Sequence, residues 1–188
     1  MQQPIPAILA DTPIIAAVKD DRGLAQALTT DCQVIFLLYG NVCNIASLVD
    51  RVKSAGKVAF VHIDLVDGLS SKEVAVTFLK TNTRADGIIS TKPAIVKAAK
   101  EQGLTTVQRF FLIDSLALAN FRKYMDAGWA DMIEVMPATM PKVIRKLTGF
   151  CKIPLIAGGL ISDKEDVLLA LQSGAVAVST TNQDVWRM

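Results

Sequence analysis

Short apolar runs recur along this chain, each followed by a segment of helical character, and that alternation leaves few architectures open. Eight such runs begin near Ile14 (IIAAV), Val34 (VIFLLY), Val58 (VAFVHI), Gly87 (GIIS), Thr105 (TTVQRFF), Met132 (MIEV), Ile153 (IPLIA) and Ala175 (AVAVS). Near-continuous apolar strands are those buried on both faces, and strands that alternate with helices build a parallel sheet. Helix, glycine, strand also recurs, at Ser54-Ala55-Gly56, Glu101-Gln102-Gly103, Asp126-Ala127-Gly128 and Gln172-Ser173-Gly174. A glycine there can take the left-handed conformation that closes a helix. Helix starts are equally regular. Asp114-Ser115 precedes LALANFRKYM, Pro93 and Pro141 suit a first turn, and Ser162-Asp163 opens KEDVLLAL.

These patterns predict an α/β fold: a compact single-domain (β/α)8 TIM-type barrel with a shortened C-terminal helix. One domain should occupy residues 1–188, with the strand-helix repeats running from about 14 to 186. The 188 residues over eight units give a period of about 23, against roughly 30 in a typical barrel. A doubly wound open sheet is the alternative for so short a chain. No Pro/Ser/Gly-rich linker or charge block divides it.

Two strand ends carry the strongest functional signal. Ile156-Ala157-Gly158-Gly159-Leu160-Ile161 stops in glycine, and Gly174 to Thr181 stops in Ser179-Thr180-Thr181. As strands seven and eight of a barrel, they place bare backbone N–H groups and hydroxyls where such barrels hold phosphate. Charged residues at other strand ends should join them. In Phe60-Val61-His62-Ile63-Asp64 the period of two sends His62 and Asp64 into the barrel mouth, and it sends Glu134 inward as well. Lys19 ends strand one and Lys92 follows strand four, while either Gln108 or Arg109 must face inward.

Lys19, Lys92 and Arg109 with Asp64 and Glu134 approach neutrality once a phosphate dianion is added. The competing reading makes them ion pairs above the core. His62 is the only histidine, which excludes a multi-histidine zinc site, and no metal is expected. As a lone strand histidine it reads first as a satisfied hydrogen-bonding group.

Composition narrows the compartment. Hydrophobic residues make up 51% of the chain, yet no uninterrupted apolar run is long enough for a membrane span. MQQPIPAILADTP lacks a basic n-region and a long h-region, so no export signal is expected. Cys32, Cys43 and Cys151 are odd in number and unpaired in spacing, which suits free thiols in a cytoplasmic protein.

The strings FVHIDLVDGLSS (Phe60 to Ser71), ADGIISTKP (Ala85 to Pro93), QRFFLIDSLAL (Gln108 to Leu118), PLIAGGLI (Pro154 to Ile161) and AVSTTNQDVW (Ala177 to Trp186) carry a family likeness. The chain resembles the glycerol-3-phosphate-responsive antiterminators from Ile14 to Trp186. That resemblance implies a regulator of glycerol catabolism. With glycerol 3-phosphate as effector it would bind the untranslated leader of an mRNA and let transcription pass a terminator. The family's motifs coincide here with Lys19, His62, Asp64, Lys92, Arg109, Glu134, Gly158, Gly159, Ser179 and Thr180, and the strand-end geometry above makes these the expected ligand-binding positions. No cofactor and no catalytic residue are implied.

The sequence speaks more softly about RNA. Its net charge of +2 is modest for a nucleic-acid binder, and no RNA-binding module is visible. RNA would have to use the barrel's outside, with Lys142, Arg145, Lys146 and Lys152, or Arg122 and Lys123, as the basic candidates. Ordinary solvated helix faces look the same. A homo-oligomer would enlarge such a patch. The competing class is an enzyme acting on a glycerol phosphate or phosphosugar, with Asp64 or Glu134 as general base and Lys19 or Arg109 stabilising a developing anion.

Overall fold

The computed structural model describes residues 4–125 and 128–188. Its eight strands are β1 (Ile14–Val18), β2 (Val34–Leu37), β3 (Val58–His62), β4 (Gly87–Ser90), β5 (Thr105–Phe111), β6 (Met132–Met136), β7 (Leu155–Gly158) and β8 (Ala177–Thr180). All pair in parallel with their sequence neighbours, and β8 pairs with β1 to close the barrel. The open-sheet alternative is therefore excluded.

Helices α2 (Asp21–Ala27), α3 (Ile45–Ser54), α4 (Glu73–Asn82), α5 (Pro93–Glu101), α6 (Ser115–Met125), α7 (Pro141–Thr148) and α8 (Lys164–Gln172) connect successive strands. Only a 3-10 turn, Val185–Arg187, follows β8, as the short last segment predicts. The expected starts hold. Asp163 accepts from Asp166 N at 3.0 Å and Asp114 from Ala117 N at 2.7 Å, while Pro93 and Pro141 sit in first turns. Gly56, Gly103, Gly128 and Gly174 have positive φ as expected, but Asp126 and Ala127 of the third repeat lie outside the described residues.

Alternation along the strands sorts the core into two layers. Ile15, Phe36, Phe60, Ile89, Val107 and Ile156 fill the barrel, with the Phe36 and Phe60 rings 5.5 Å apart. Val18, Ile35, Val61 and Ile88 pack outward on the helices. Burying these side chains from both sides is the main stabilising term.

Three details depart from the sequence reading. A further helix, α1 (Ile5–Asp11), precedes β1 and sends the fully buried Leu9 into the barrel's interior cluster. β7 and β8 start at Leu155 and Ala177, two residues later than read. Pro154 has no N–H to give a ladder, although its carbonyl accepts from Ile133 N at 3.0 Å. Finally, β3 ends at His62, so Asp64 sits in a 3-10 turn (Ile63–Leu65) rather than on the strand's inner face.

Candidate functional site

Side chains at the strands' C-terminal ends surround a cavity of about 320 Å³. Ala17, Arg109, Glu134, Ser179 and Thr180 line it from the strands; Gly159, Leu160 and Thr181 line it from the loops after β7 and β8. Its depth is set by residue size, because Ala17 takes the inward position that follows Ile15 on β1.

The strand register fixes the charged wall. Arg109 on β5 pairs directly with Glu134 on β6, so both point inward one layer above Val107 and Met132. Arg109 rather than Gln108 is thus the inward residue. Arg109 Nε donates to Glu134 Oε2 at 2.5 Å, and Ser179 Oγ donates to Oε1 of the same carboxylate. Glu134 is fully buried and Arg109 is 7% exposed. Both carboxylate oxygens are therefore occupied. The guanidinium makes no other hydrogen bond among the described residues, which leaves its Nη groups, four N–H donors, available beside the cavity.

Glycine is required behind this pair. A Cβ on Gly158 would lie 2.6 Å from Glu134 Oε1 and 2.7 Å from Ser179 Oγ. Gly158 thus lets the carboxylate reach the hydroxyl, and it is not part of the cavity lining. Gly159 does line the cavity, at φ +76° and with room for a Cβ only 2.8 Å from Met136 Cε. Leu160 follows at φ +61°, a conformation costly for a residue with a Cβ, with its side chain 73% exposed.

Hydroxyls and amides tie the two loops together. Thr180 Oγ1 donates to Ile161 O at 3.1 Å and accepts from Asn182 N at 3.0 Å. Asn182 Nδ2 donates to Ser162 O at 2.7 Å, and Trp186 Nε1 holds Thr180 O at 2.8 Å. Ser179 and Thr180 are both buried, so Thr181, exposed at the rim, is the hydroxyl of the run free to turn.

A second polar cluster stands apart. Asp64 accepts from Ser90 Oγ (2.9 Å), Thr91 N (2.7 Å) and Thr91 Oγ1 (3.0 Å). Burial alone would raise its pKa, but these hydrogen bonds outweigh burial and hold it below the usual carboxylate range. Lys92 Nζ donates to Ser71 Oγ and lies 3.7 Å from Asp64 Oδ1. Neither Asp64 nor Lys92 lines the cavity. Lys19 is exposed one residue beyond β1 and has no ion pair among the described residues.

His62 lies within the electrostatic reach of both groups. It is 3% exposed, and its Nδ1 has no hydrogen-bond partner, contrary to the expectation of a satisfied histidine. Burial first, then the Arg109 charge, lower its pKa to about 4. The ring is neutral at pH 7, with one nitrogen to donate and one to accept.

The structure therefore brings Arg109, Glu134, Gly159, Ser179 and Thr180 to one cavity, sets Gly158 behind it, and leaves Lys19, His62, Asp64 and Lys92 outside its lining. The sequence reading quoted Leu160, Ile161 and Thr181 within its two strand-end strings without assigning them to the ligand, and it did not single out Ala17, Leu38 or Met136. Thr181 extends the Ser-Thr run, and the alternation from Ile15 marks Ala17, whereas nothing local marks Met136. Lys142, Arg145 and Lys146 are exposed on α7 and Lys152 beyond it. Among the described residues, no group of three or more His, Cys, Asp or Glu could hold a metal, and no helix is long and apolar enough to cross a membrane.

Residues 14–186 match the family described as glycerol-3-phosphate responsive antiterminator. The uncharacterized protein YgcP of Escherichia coli (strain K12) is 46% identical over 185 residues, covering 98% of this chain and 97% of that protein. Two solved structures are 35% identical. The glycerol uptake operon antiterminator regulatory protein of Listeria monocytogenes superposes with a TM-score of 0.90 over 94% of this chain and 95% of its own. A glycerol uptake operon antiterminator-related protein of Thermotoga maritima gives 0.80 over 93% and 98%. The deoxyribose phosphate aldolase of Aeropyrum pernix shares the TIM barrel at 15% identity and a TM-score of 0.69, over 96% of this chain and 89% of its own, a likeness of fold alone.

Proposed function

This chain belongs to the glycerol-3-phosphate responsive antiterminator family, and from that premise we propose that it senses glycerol 3-phosphate without turning it over. Loaded with the effector, it binds the untranslated leader of mRNA for glycerol catabolism genes and lets transcription continue past a terminator. It does so in the cytoplasm, without a metal or cofactor.

The observation that carries this reading is the state of the Arg109–Glu134–Ser179 wall. Among the described residues, Glu134 is the only acid lining the cavity, and its charge is already matched by Arg109 and its second oxygen by Ser179. The remaining guanidinium N–H groups suit a phosphate, for which a planar fork of donors is well shaped. A volume of about 320 Å³ stands at the low end of small-molecule sites, which span about 300–1,000 Å³. That suits a three-carbon phosphate.

The same arrangement argues against turnover. Each Glu134 oxygen already accepts a hydrogen bond, Asp64 is held by Ser90 and Thr91, and His62 has no carboxylate orienting it through a hydrogen bond.

Calorimetry with glycerol 3-phosphate and with glycerol tests the assignment, followed by phosphorus NMR of the mixture over hours. The phosphate ester should bind, glycerol should not, and the ester's resonance should persist unchanged. A new phosphorus resonance that depends on the intact cavity would establish an enzyme instead.

A further inference from the structure

The geometry points to the outer face of α6 and α7 as the surface that holds the leader RNA, an inference that rests on the regulator reading above. The starting observation is a lysine-to-glycine spacing that occurs on three helices and meets an acid on two of them. Lys53, Lys100 and Lys146 each stand three residues before the glycine that follows their helix, Gly56, Gly103 and Gly149. Cations suit the last turn of a helix because they oppose the partial negative charge of its free carbonyls. On α3 and α5 each also meets an acid. Lys53 Nζ lies 2.7 Å from Asp86, and Lys100 Nζ lies 3.1 Å from Asp131.

Asp86 and Asp131 occupy the residue before β4 and before β6. The residue before β8 is Val176, and its backbone is set in the same way. Val176 N donates to Leu155 O on β7 at 2.8 Å, as Asp86 N donates to Ala59 O on β3 at 2.9 Å. The acid is thus missing only where Lys146 would use it, and Val176 is 38% exposed there.

The unmatched charge is not confined to Lys146. Among the described residues, no ion pair involves Arg122, Lys123, Lys142, Arg145, Lys146 or Lys152, all of them exposed. On α7 the spacing of 142, 145 and 146 puts three cations on the face opposite the buried Ile144 and Leu147. α6 joins the same surface through Phe150, whose ring is 41% exposed. The Arg122 guanidinium lies 5.2 Å above it, and the buried Phe121 packs behind it at 6.2 Å.

Cations without counter-charges around a half-exposed aromatic ring are what single-stranded RNA needs, phosphates for the former and a base to stack on the latter. The elements of this surface also begin beside the ligand cavity. Leu112 N, at the head of the α6 loop, donates to Met136 O at 2.8 Å; Ala138 N, at the head of the α7 loop, donates to Gly159 O at 3.1 Å. Met136 and Gly159 both line the cavity.

The test uses the full chain, saturating glycerol 3-phosphate, and the leader transcript of the glycerol-uptake genes from the same genome. Anisotropy is read across a salt series for the wild type, the triple variant Arg145→Ala/Lys146→Ala/Lys152→Ala, Val176→Asp, and Arg84→Ala. Arg84 belongs to an exposed pair with Asp50 on another face. The triple variant should lose at least about tenfold in affinity, and its salt slope should fall by about 2, since each phosphate contact on a single strand contributes about 0.7. Val176→Asp should weaken RNA by about threefold by giving Lys146 its missing partner, and Arg84→Ala should change nothing. Calorimetry with glycerol 3-phosphate checks that each variant is folded.

Tight RNA binding by a triple variant that still takes up glycerol 3-phosphate would overturn the surface while sparing the regulator reading. A wild type that binds no leader RNA would end both. Loss of affinity for anionic-lipid vesicles with RNA binding intact would also overturn the assignment.

Discussion

Arg109 on β5 and Glu134 on β6 lie directly across from each other and close an ion pair, Nε to Oε2 at 2.5 Å, with the carboxylate fully buried. Removing one member of a buried pair leaves the other charge uncompensated, at a cost of about 3–5 kcal/mol. Glu134→Ala should therefore lower the free energy of unfolding in urea by that order. The double variant Arg109→Met/Glu134→Leu should recover a large part of it. Equal losses in single and double variants would show that the pair is not coupled.

Gly158 is predicted to act through that pair. Gly158→Ala inserts a methyl 2.6 Å from Glu134 Oε1 and 2.7 Å from Ser179 Oγ, and forcing a group into a packed core costs about 1–3 kcal/mol. Melting temperature should fall, and glycerol 3-phosphate affinity with it, although residue 158 does not line the cavity. An unchanged affinity would mean that the pair does not shape the site.

Gly159 should act on the ligand directly. Gly159→Asp brings a carboxylate to the cavity rim and should weaken glycerol 3-phosphate by more than about tenfold, since close like charges repel by at least about 1 kcal/mol. Calorimetric affinity equal to wild type in a folded variant would remove this loop from the phosphate site.

How much of this was legible beforehand depended on range. β5 could be read as Thr105–Phe111 because its β-branched and aromatic run is bounded by a helix-closing glycine and by Asp114. Alternation alone sent Glu134 inward. The Arg109–Glu134 contact depends on which residue of β5 faces which residue of β6, and no local pattern encodes that register. α1 escaped because seven residues between prolines show little helical pattern, and burial of Leu9 under the strands decides their conformation. The orphan Nδ1 of His62 could not be foreseen, since a single histidine in a strand gives no hint of its partners.

His62 predicts a pH dependence. Its pKa is about 4 in the folded chain against 6.5 unperturbed. The unfolded chain therefore binds the proton more readily, and stability rises with pH wherever that holds. His62 thus contributes stability that is complete above about pH 6.5 and is lost as pH falls toward about 4. The size should be a few kcal/mol, as each unit is worth about 1.4. Urea unfolding of His62→Leu should show a flatter profile in that window than wild type, and superimposable profiles would contradict the assignment.

The central claim is that occupancy of the cavity changes affinity for leader RNA, and titrating the leader transcript at fixed salt with and without saturating glycerol 3-phosphate tests it most directly. Allosteric couplings usually amount to about 1–3 kcal/mol, so the effector should tighten RNA binding by roughly 5- to 150-fold, and RNA should tighten effector binding by the same factor. Gly159→Asp should lose the effector's influence while keeping the effector-free RNA affinity. Identical RNA affinity in the two titrations, on a leader bound specifically, would contradict the account even if both ligands bind.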